Sequence, residues 1–567
     1  MFNCEKMLDE IYDKDVSTAI TFDPKYFKLP IEYVQHEEIN EIIKNDIELN
    51  SNNSKNIYNN LMPKSILIDK WCTNYTTNKE FLKDTQQHIK HYSGAESSDE
   101  TMFNEYKIFK EEGNFIDKYH YMGIKVLKPL NNYSLFLQCL GFFNLASPAL
   151  SLLSPLFVLI VPFAILRMRG IKININTYIV FLKGAIMQNS FYKLFTNFTS
   201  MTAQQKLSGC VSVLFYIFQV YNNVMSCINF YKNIHTISDF IFKYKDHLKS
   251  SILLCEKVQA SVKKYESYTS FYNDIEHHKN EMTKLFKRID VLMPYKNTLS
   301  KLSQLGIYMH LYYDMYYNEK YNDTFMYSIF LKHYDADLCS LNKHVKTKKI
   351  NKCKYGSVTS MRKMYYLPHI KNKYVANDIN IDKNIIITGP NASGKTTILK
   401  SVLINILLSQ QIGYGCYSSA KIKLYDTFHS YLNIPDTSGR DSLFQAEARR
   451  CKDILEIITE TPDNNHFCIF DEIYSGTNPN DAVLCANLYL KGMNHFKASV
   501  DYILTTHYIK LCENFDKDPL IQNLKMNVDV KDDNISYLYE IVSGISYVHG
   551  GKHILKEMNY PEYLFNL

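Results

Sequence analysis

A chain of 567 residues has room for about two to four domains and at least one large core. Its 46% apolar and 22% charged residues exclude a wholly disordered chain, a collagen and a small disulfide scaffold. A net charge of +6 is too slight to argue for nucleic acid or anionic lipid as a partner. The 13 cysteines form no C-x-x-C pair and no cluster with zinc spacing, so reduced thiols are expected. No apolar run follows the charges near Met1, so no secretory signal is expected. These features place the protein inside the cell, cytoplasmic or nuclear, or attached to a membrane.

In chain order, residues 1–128 form an N-terminal region of mixed, polar character with no assignable chemistry; Asn50–Ser54 reads as a loop. Residues 129–231 form an apolar and basic helical region. Pro129 to Leu166 carries no charge, and 135–166 is long enough to be a membrane segment: one span with an interfacial piece, or a hairpin turning near Ser147-Pro148. A buried helix pair in a soluble core is the competing reading. Residues 167–206 hold Arg167, Arg169, Lys172, Lys183, Lys193 and Lys206 and no acid, which suits an anionic membrane surface, a nucleic acid backbone or plain solvent. The second charge-free run, Leu207–Tyr231, carries several Asn and Gln and reads as a packed helix more readily than as a span. Residues 232–350 read as a helical, lever-like region: Ile237, Phe240, Ile241, Tyr244, Leu248 and Ile252 recur at helical spacing. Near 350 the pattern changes to short strands alternating with helices, so 351–567 is read as a separate domain.

That last region carries the chemistry. Asn384–Thr388 is an apolar strand, followed by Gly389, Pro390, Asn391, Ala392, Ser393, Gly394, Lys395, Thr396 and Thr397, and then by an amphipathic helix. This is G-x-x-x-x-G-K-T in the context it needs. Its backbone amides can curl around phosphates, Lys395 can reach the β- and γ-phosphates of ATP, and the Thr396 hydroxyl can join a Mg²⁺ shell. A second strand, His466–Phe470, ends in Asp471 and Glu472. Asp471 suits Mg²⁺ and Glu472 suits a general base for water. A third, Tyr502–Thr506, ends in His507, placed to meet the γ-phosphate or the attacking water.

Thr388-Gly389-Pro390-Asn391, Asp471-Glu472-Ile473-x-x-Gly476-Thr477 with Asp481 downstream, and Thr506-His507-Tyr508 resemble the MutS branch of the ABC-type ATPases over about residues 365–565. The resemblance implies an α/β P-loop NTPase fold of the ABC/MutS type, preceded by the mainly α-helical region. It also implies ATP and Mg²⁺ as ligands, ATP hydrolysis, and a homodimer through the ATPase domain. It makes Tyr374 and Val375 the pair packing on adenine, and Tyr539 a second ring near the base. It makes Ser442 the residue that crosses a dimer to the partner's γ-phosphate. The family reads Gly-x-Ser-Thr-Phe there; here an extra residue separates Gly439 from Ser442, and Leu443 replaces Thr. Gly544 to Pro561 resembles the closing helical segment that braces the dimer, and Asp335 and Asp337 lie where the family passes from core helices into the ATPase.

Mismatch sensors open with a Phe-x-Glu wedge in a typical context, which neither Phe103-Asn104-Glu105 nor Phe109-Lys110-Glu111 has. The apolar 135–166 segment has no counterpart in them. What carries over is therefore ATP binding and ATP-dependent dimerisation, not mismatch recognition. Two functions of different class stay open: a DNA-binding ATPase in repair or recombination, and a membrane-attached ABC-type ATPase. A non-hydrolysing switch is disfavoured by the intact Lys395, Thr396, Asp471, Glu472 and His507.

Overall fold

The computed structural model describes residues 23–50, 56–63, 65–94, 100–170, 174–188, 202–292, 302–432, 442–531 and 534–548, with 555, 558, 560 and 561. Its longer helices are α1 (Lys79–His91), α2 (Glu100–Lys110), α3 (Ser134–Met168), α4 (Ile175–Gln188), α5 (Ala203–Val262), α6 (Thr269–Asp290), α7 (Leu305–Tyr317), α8 (Glu319–Lys346), α9 (Lys395–Gln411), α10 (Leu443–Glu460) and α11 (Pro479–His495). The strands that matter are β1 (Asn351–Tyr355), β2 (Ser360–Met364), β3 (Asn377–Asn380), β4 (Asn384–Thr388), β5 (Tyr414–Gly415), β6 (Ser419–Ile422), β7 (Thr427–Tyr431), β8 (His466–Asp471), β9 (Val500–Thr506), β10 (Ile521–Lys531) and β11 (Asn534–Ser543).

The chain forms two compact units, both discontinuous in sequence. One is built on residues 100–250 and 281–325; the other gathers 22–99, 251–280 and 326–567. The units thus cut across the sequential segments read from composition, because long-range side-chain contacts join stretches that no local pattern links.

In the first unit an aromatic core joins α2 to α5, α7 and the start of α8. Tyr106 stacks on Phe325 with ring centroids 3.8 Å apart, and Phe115 on Tyr316 at 3.9 Å. The base of α3 lies tight against α7: a Cβ on Gly306 would sit 2.1 Å from the Ser134 carbonyl, so only glycine fits. Helix α3 runs through Pro148, Pro155 and Pro162 without a break. Of the two arrangements open for this segment, the hairpin turning near Ser147-Pro148 is therefore absent. A proline cannot donate to the carbonyl four residues back; the Ser147 hydroxyl donates to that carbonyl on Asn144 instead, at 2.9 Å. Leu207–Tyr231, expected as a packed helix, lies within α5 but stands exposed: Leu214 and Phe215 keep 66% and 70% of their surface. Helical spacing reports which face is apolar, not whether anything covers it.

In the second unit a six-stranded sheet has the order β11-β10-β4-β9-β8-β7, and a five-stranded sheet the order β3-β2-β6-β1-β5. In the first sheet β7, β8, β9, β4 and β10 run parallel, with β11 antiparallel at the edge. The register pairs Asp471 with Thr505 and Thr506 with Thr388, so the carboxyl ends of three central strands lie side by side. Such an edge is where open parallel sheets bind ligands. The N-terminal residues 22–99 belong to this unit because they satisfy buried polar groups at the far end of α9. Gln411 donates to the carbonyls of Trp71 and Asn74 at 2.8 and 3.0 Å and accepts from the Tyr58 hydroxyl at 2.6 Å. An amide buried without such partners would cost about 1–3 kcal/mol.

Candidate nucleotide site

The loop between β4 and α9 is shaped by backbone that side chains resist. Gly394 has φ +94°, and a Cβ on Gly389 would come within 2.8 Å of Ser393 Oγ. Four non-glycine residues around the site also take left-handed conformations: Ala392, Glu472, Tyr474 and Tyr539, with φ from 53° to 61°. Such strain costs about 1–3 kcal/mol at each position and persists only where the surroundings impose it.

Lys395 is 6% exposed. Its ammonium lies 3.2 Å from the Gly389 carbonyl, 3.4 Å from that of Pro390, 3.0 Å from His507 Nε2 and 3.7 Å from Glu472 Oε1. Burial lowers its pKa, and the carboxylates of Glu472 and Asp471 oppose that. His507 Nε2 also lies 2.8 Å from Glu472 Oε1. One ring nitrogen cannot accept from lysine and donate to glutamate at once, so the proton's position decides which bond forms. The His507 hydrogen bond is the main cause holding the Glu472 carboxyl below its ordinary value, with Lys395 adding to it and burial opposing. Alongside, the Thr396 hydroxyl donates to Asp471 Oδ2 at 2.7 Å, and the Thr505 hydroxyl donates to Oδ1 of the same carboxylate. The five residues read as triphosphate chemistry therefore meet at one sheet edge.

A cavity of about 810 Å³ opens from this edge, lined by Asn391 to Ile398, Glu472, Met526, Tyr539 and the pair Tyr374 and Val375. Tyr374 stacks on Tyr365 with ring centroids 4.0 Å apart and an interplanar angle of 12°. This is a flat aromatic wall of the kind that takes a planar ring. Tyr539 reaches the cavity from β11. Asn377 fixes it there: its side-chain amide donates to the Tyr539 carbonyl at 3.0 Å and its oxygen accepts from Ile541 N at 2.7 Å.

The residues fit a magnesium–nucleotide. A lysine at the end of the loop, a hydroxyl on a carboxylate and an aromatic wall converge on one cavity. Ser393 Oγ, buried in the loop, has no hydrogen-bond partner among the described residues. A buried hydroxyl in that position is a donor in want of an acceptor.

Ser442 lies elsewhere. It caps the N-terminus of α10, its Oγ accepting from Gln445 N at 3.3 Å while its own N–H donates to the Gln445 side chain. It is exposed and does not line the nucleotide cavity of its own chain. Ser438–Asp441, just before it, and most of the closing segment from His549 onward lie outside the described residues.

Three contributors went unread in the sequence. Tyr365 and Asn377 act by placing named residues, which only the fold reveals. Glu447 is almost fully buried and accepts from Ser475 N, Ser475 Oγ and Gly476 N at 3.1, 2.8 and 3.0 Å, clamping the loop after Glu472. Its signal was available: an acid on the inward face of an otherwise apolar helical stripe with Cys451, Ile454 and Ile458. Beside it a second cavity of about 790 Å³ is lined by Asp46, Ser430, Arg450, Asp471 and Glu472.

A family model for MutS domain V matches residues 385–566. Proteins described as DNA mismatch repair protein MutS align over the same third of the chain. That of Fusobacterium nucleatum is 33% identical over 200 residues, 34% of this chain and 21% of the relative. That of Bacteroides fragilis is 30% identical over 199 residues, 34% and 23%. That of Flavobacterium psychrophilum is 29% identical over 194 residues, 33% and 22%. The chain thus covers less than a quarter of the length of these relatives. A P-loop fold, the strand-end chemistry and the domain match agree on one stretch: residues 385–566 are similar to MutS domain V.

Proposed function

We propose that this protein is an ATPase whose two nucleotide sites are completed between two copies of the chain, acting in a DNA repair or recombination role. The observation that carries the reading is the meeting of Lys395, Thr396, Asp471, Glu472 and His507 at the open end of one parallel sheet. In this reading the loop amides and Lys395 bind the triphosphate, and Tyr374 and Val375 border the base. Mg²⁺, held by Thr396 and Asp471, would neutralise charge on the β- and γ-phosphate oxygens. Glu472 takes a proton from the water that attacks the γ-phosphorus, and the bond to the ADP oxygen breaks, giving ADP and phosphate. His507 orients Glu472 and faces the γ-phosphate. Ser442, exposed at the start of an 18-residue helix, is left to serve the partner's nucleotide.

The DNA role rests on the relatives' described function and on the basic stretch 167–206. A second reading, a membrane-attached ATPase of the same mechanism with no mismatch recognition, is favoured by the exposed apolar helices of the first unit.

The mechanism is tested with Glu472→Gln. ATP should still bind, hydrolysis should fall by roughly 10²–10⁴, and the protein should run as a dimer with ATP and not with ADP in light scattering. A variant that stays monomeric with ATP overturns the shared-site mechanism. Full hydrolysis by the variant overturns the role of Glu472.

A further inference from the structure

The first unit extends an arm of three helices whose surface is apolar where a soluble protein's would be polar. Beyond its base on α7, α3 runs outward and α5 returns beside it: Tyr216 and Cys227 of α5 donate to the carbonyls of Leu152 and Leu145 at 3.3 and 3.5 Å, an antiparallel pairing. Helix α4 folds onto the outer part of α3, with the rings of Phe163 and Tyr178 4.7 Å apart. From Phe142 to Met168 the arm reaches about 40 Å, more than the roughly 30 Å of a bilayer's hydrocarbon core.

The exposed side chains are large and apolar on all three helices. Phe143, Val161 and Ile165 stand out on α3, Val180 and Phe181 on α4, and Leu207, Leu214, Phe215 and Phe218 on α5. Phe181 keeps 74% of its surface. Stretches of α3 and α5 are long and apolar enough to cross a membrane and are almost wholly unburied. A contiguous apolar surface of this extent marks an interaction site.

Charge says which partner. From Lys118 to Ser238 the sequence holds ten Lys or Arg and no Asp or Glu. Arg167 and Arg169 are exposed at the outer end of α3 and Lys183 is exposed on α4, so among the described residues the apolar surface is tipped with cations only. A protein partner offering an apolar groove would not require the exclusion of every acid over such a length. Duplex DNA would use the cations but leave the phenylalanines and leucines in water. A bilayer with anionic headgroups takes both.

We propose that this arm embeds in an anionic lipid bilayer, its apolar helices in the acyl region and its Arg167 and Arg169 tip against lipid phosphates. The proposal rests on the membrane-attached reading and adds to it the headgroup class and the residues that select it.

The test is co-flotation of the full chain with vesicles of phosphatidylcholine, alone or mixed with phosphatidylglycerol, with duplex DNA retention measured in parallel. The wild type should float with the mixed vesicles and bind pure phosphatidylcholine about tenfold less or weaker still. Arg167→Glu/Arg169→Glu should lose about tenfold or more on the mixed vesicles. Phe181→Asp/Leu214→Asp/Phe215→Asp should stop floating with either. These positions are exposed and belong to a different unit from the nucleotide residues, so basal ATPase should be unchanged in both variants, which certifies their folding. Equal flotation on both vesicle types, or no effect of the charge reversal, overturns the anionic selection while leaving membrane attachment standing. No flotation with either overturns both. DNA retention that the charge reversal abolishes, without flotation, gives the surface to nucleic acid and overturns the proposal.

Discussion

The two units of this chain solve opposite problems with similar residues. In the nucleotide unit, β4 and α9 bury nearly every side chain, polar ones included, and each buried amide of Gln410 and Gln411 is matched to a carbonyl. In the arm of the first unit, leucines and phenylalanines of the same kind stand in the open. The difference teaches that apolar sequence is not one signal. Flanked by strand-end acids and glycines it builds a site; flanked only by cations it builds a surface that has to meet something.

The comparison is broken most sharply at Lys395. If the nucleotide unit is a built site, Lys395→Ala removes a buried charge aimed at phosphate, at a cost of about 2–5 kcal/mol. Binding of a fluorescent ATP analogue should weaken roughly a hundredfold or more, while flotation with lipid stays as in the wild type. Retained tight binding would refute the phosphate assignment.

Next comes the same substitution made in both regions. Leu403, fully buried in α9, should lose about 2–5 kcal/mol of stability as Leu403→Ala, by transfer and cavity terms together. Leu214, 66% exposed on α5, should change by no more than about 0.5 kcal/mol as Leu214→Ala. Chemical denaturation of the two variants checks this. A large loss at Leu214 would mean that the arm is packed in solution and has no free apolar face.

Gly476 gives a smaller effect of a different origin. A Cβ there would lie 2.8 Å from Leu443 Cγ and from the Phe444 backbone N, where α10 begins. Gly476→Ala should cost about 1–3 kcal/mol by overpacking. It should also disturb the loop that Glu447 holds behind Glu472, so ATPase falls with stability. An unchanged denaturation midpoint would show that α10 can shift to make room.

How much of this was legible in the sequence divides along the same line. The three strands of the nucleotide unit announced themselves, because each is a short apolar run followed by a residue type with a phosphate or metal role: Lys395 at the end of the glycine loop, and Asp471 and His507 at the strand ends. Those signals are local. The residues that close the unit act over long range: Gln86 of α1 donates to the Cys353 and Gly413 carbonyls at 3.0 and 2.8 Å, a partnership no window of sequence contains. The same is true of Tyr365 behind Tyr374. In the first unit the apolar stretch before Leu166 was legible as helix and as a membrane candidate. The exposure of Leu207–Tyr231 was not, because its Asn and Gln residues read as a packing face. The resemblance makes Ser442 a trans contact. Its capping bond to Gln445 is a reason of purely local chemistry for a serine there, so the helix it starts forms with or without a partner.

Tyr374 is the finest test of whether the legible residues form a nucleotide site and not a phosphate site alone. Its ring is 45% exposed, stacked on Tyr365 and facing the cavity. Stacking a base on such a face contributes about 0.5–1.5 kcal/mol. Tyr374→Ala should therefore weaken ATP and ADP binding only about two- to tenfold, and Tyr374→Phe should restore it, since the ring and not the hydroxyl makes the contact. Inorganic tripolyphosphate, which has no base, supplies the control. If the ring packs on a base, its affinity should not move in Tyr374→Ala. Were tripolyphosphate to weaken equally, the tyrosine would be shaping the phosphate loop through Tyr365, and the aromatic wall would have no ring to recognise.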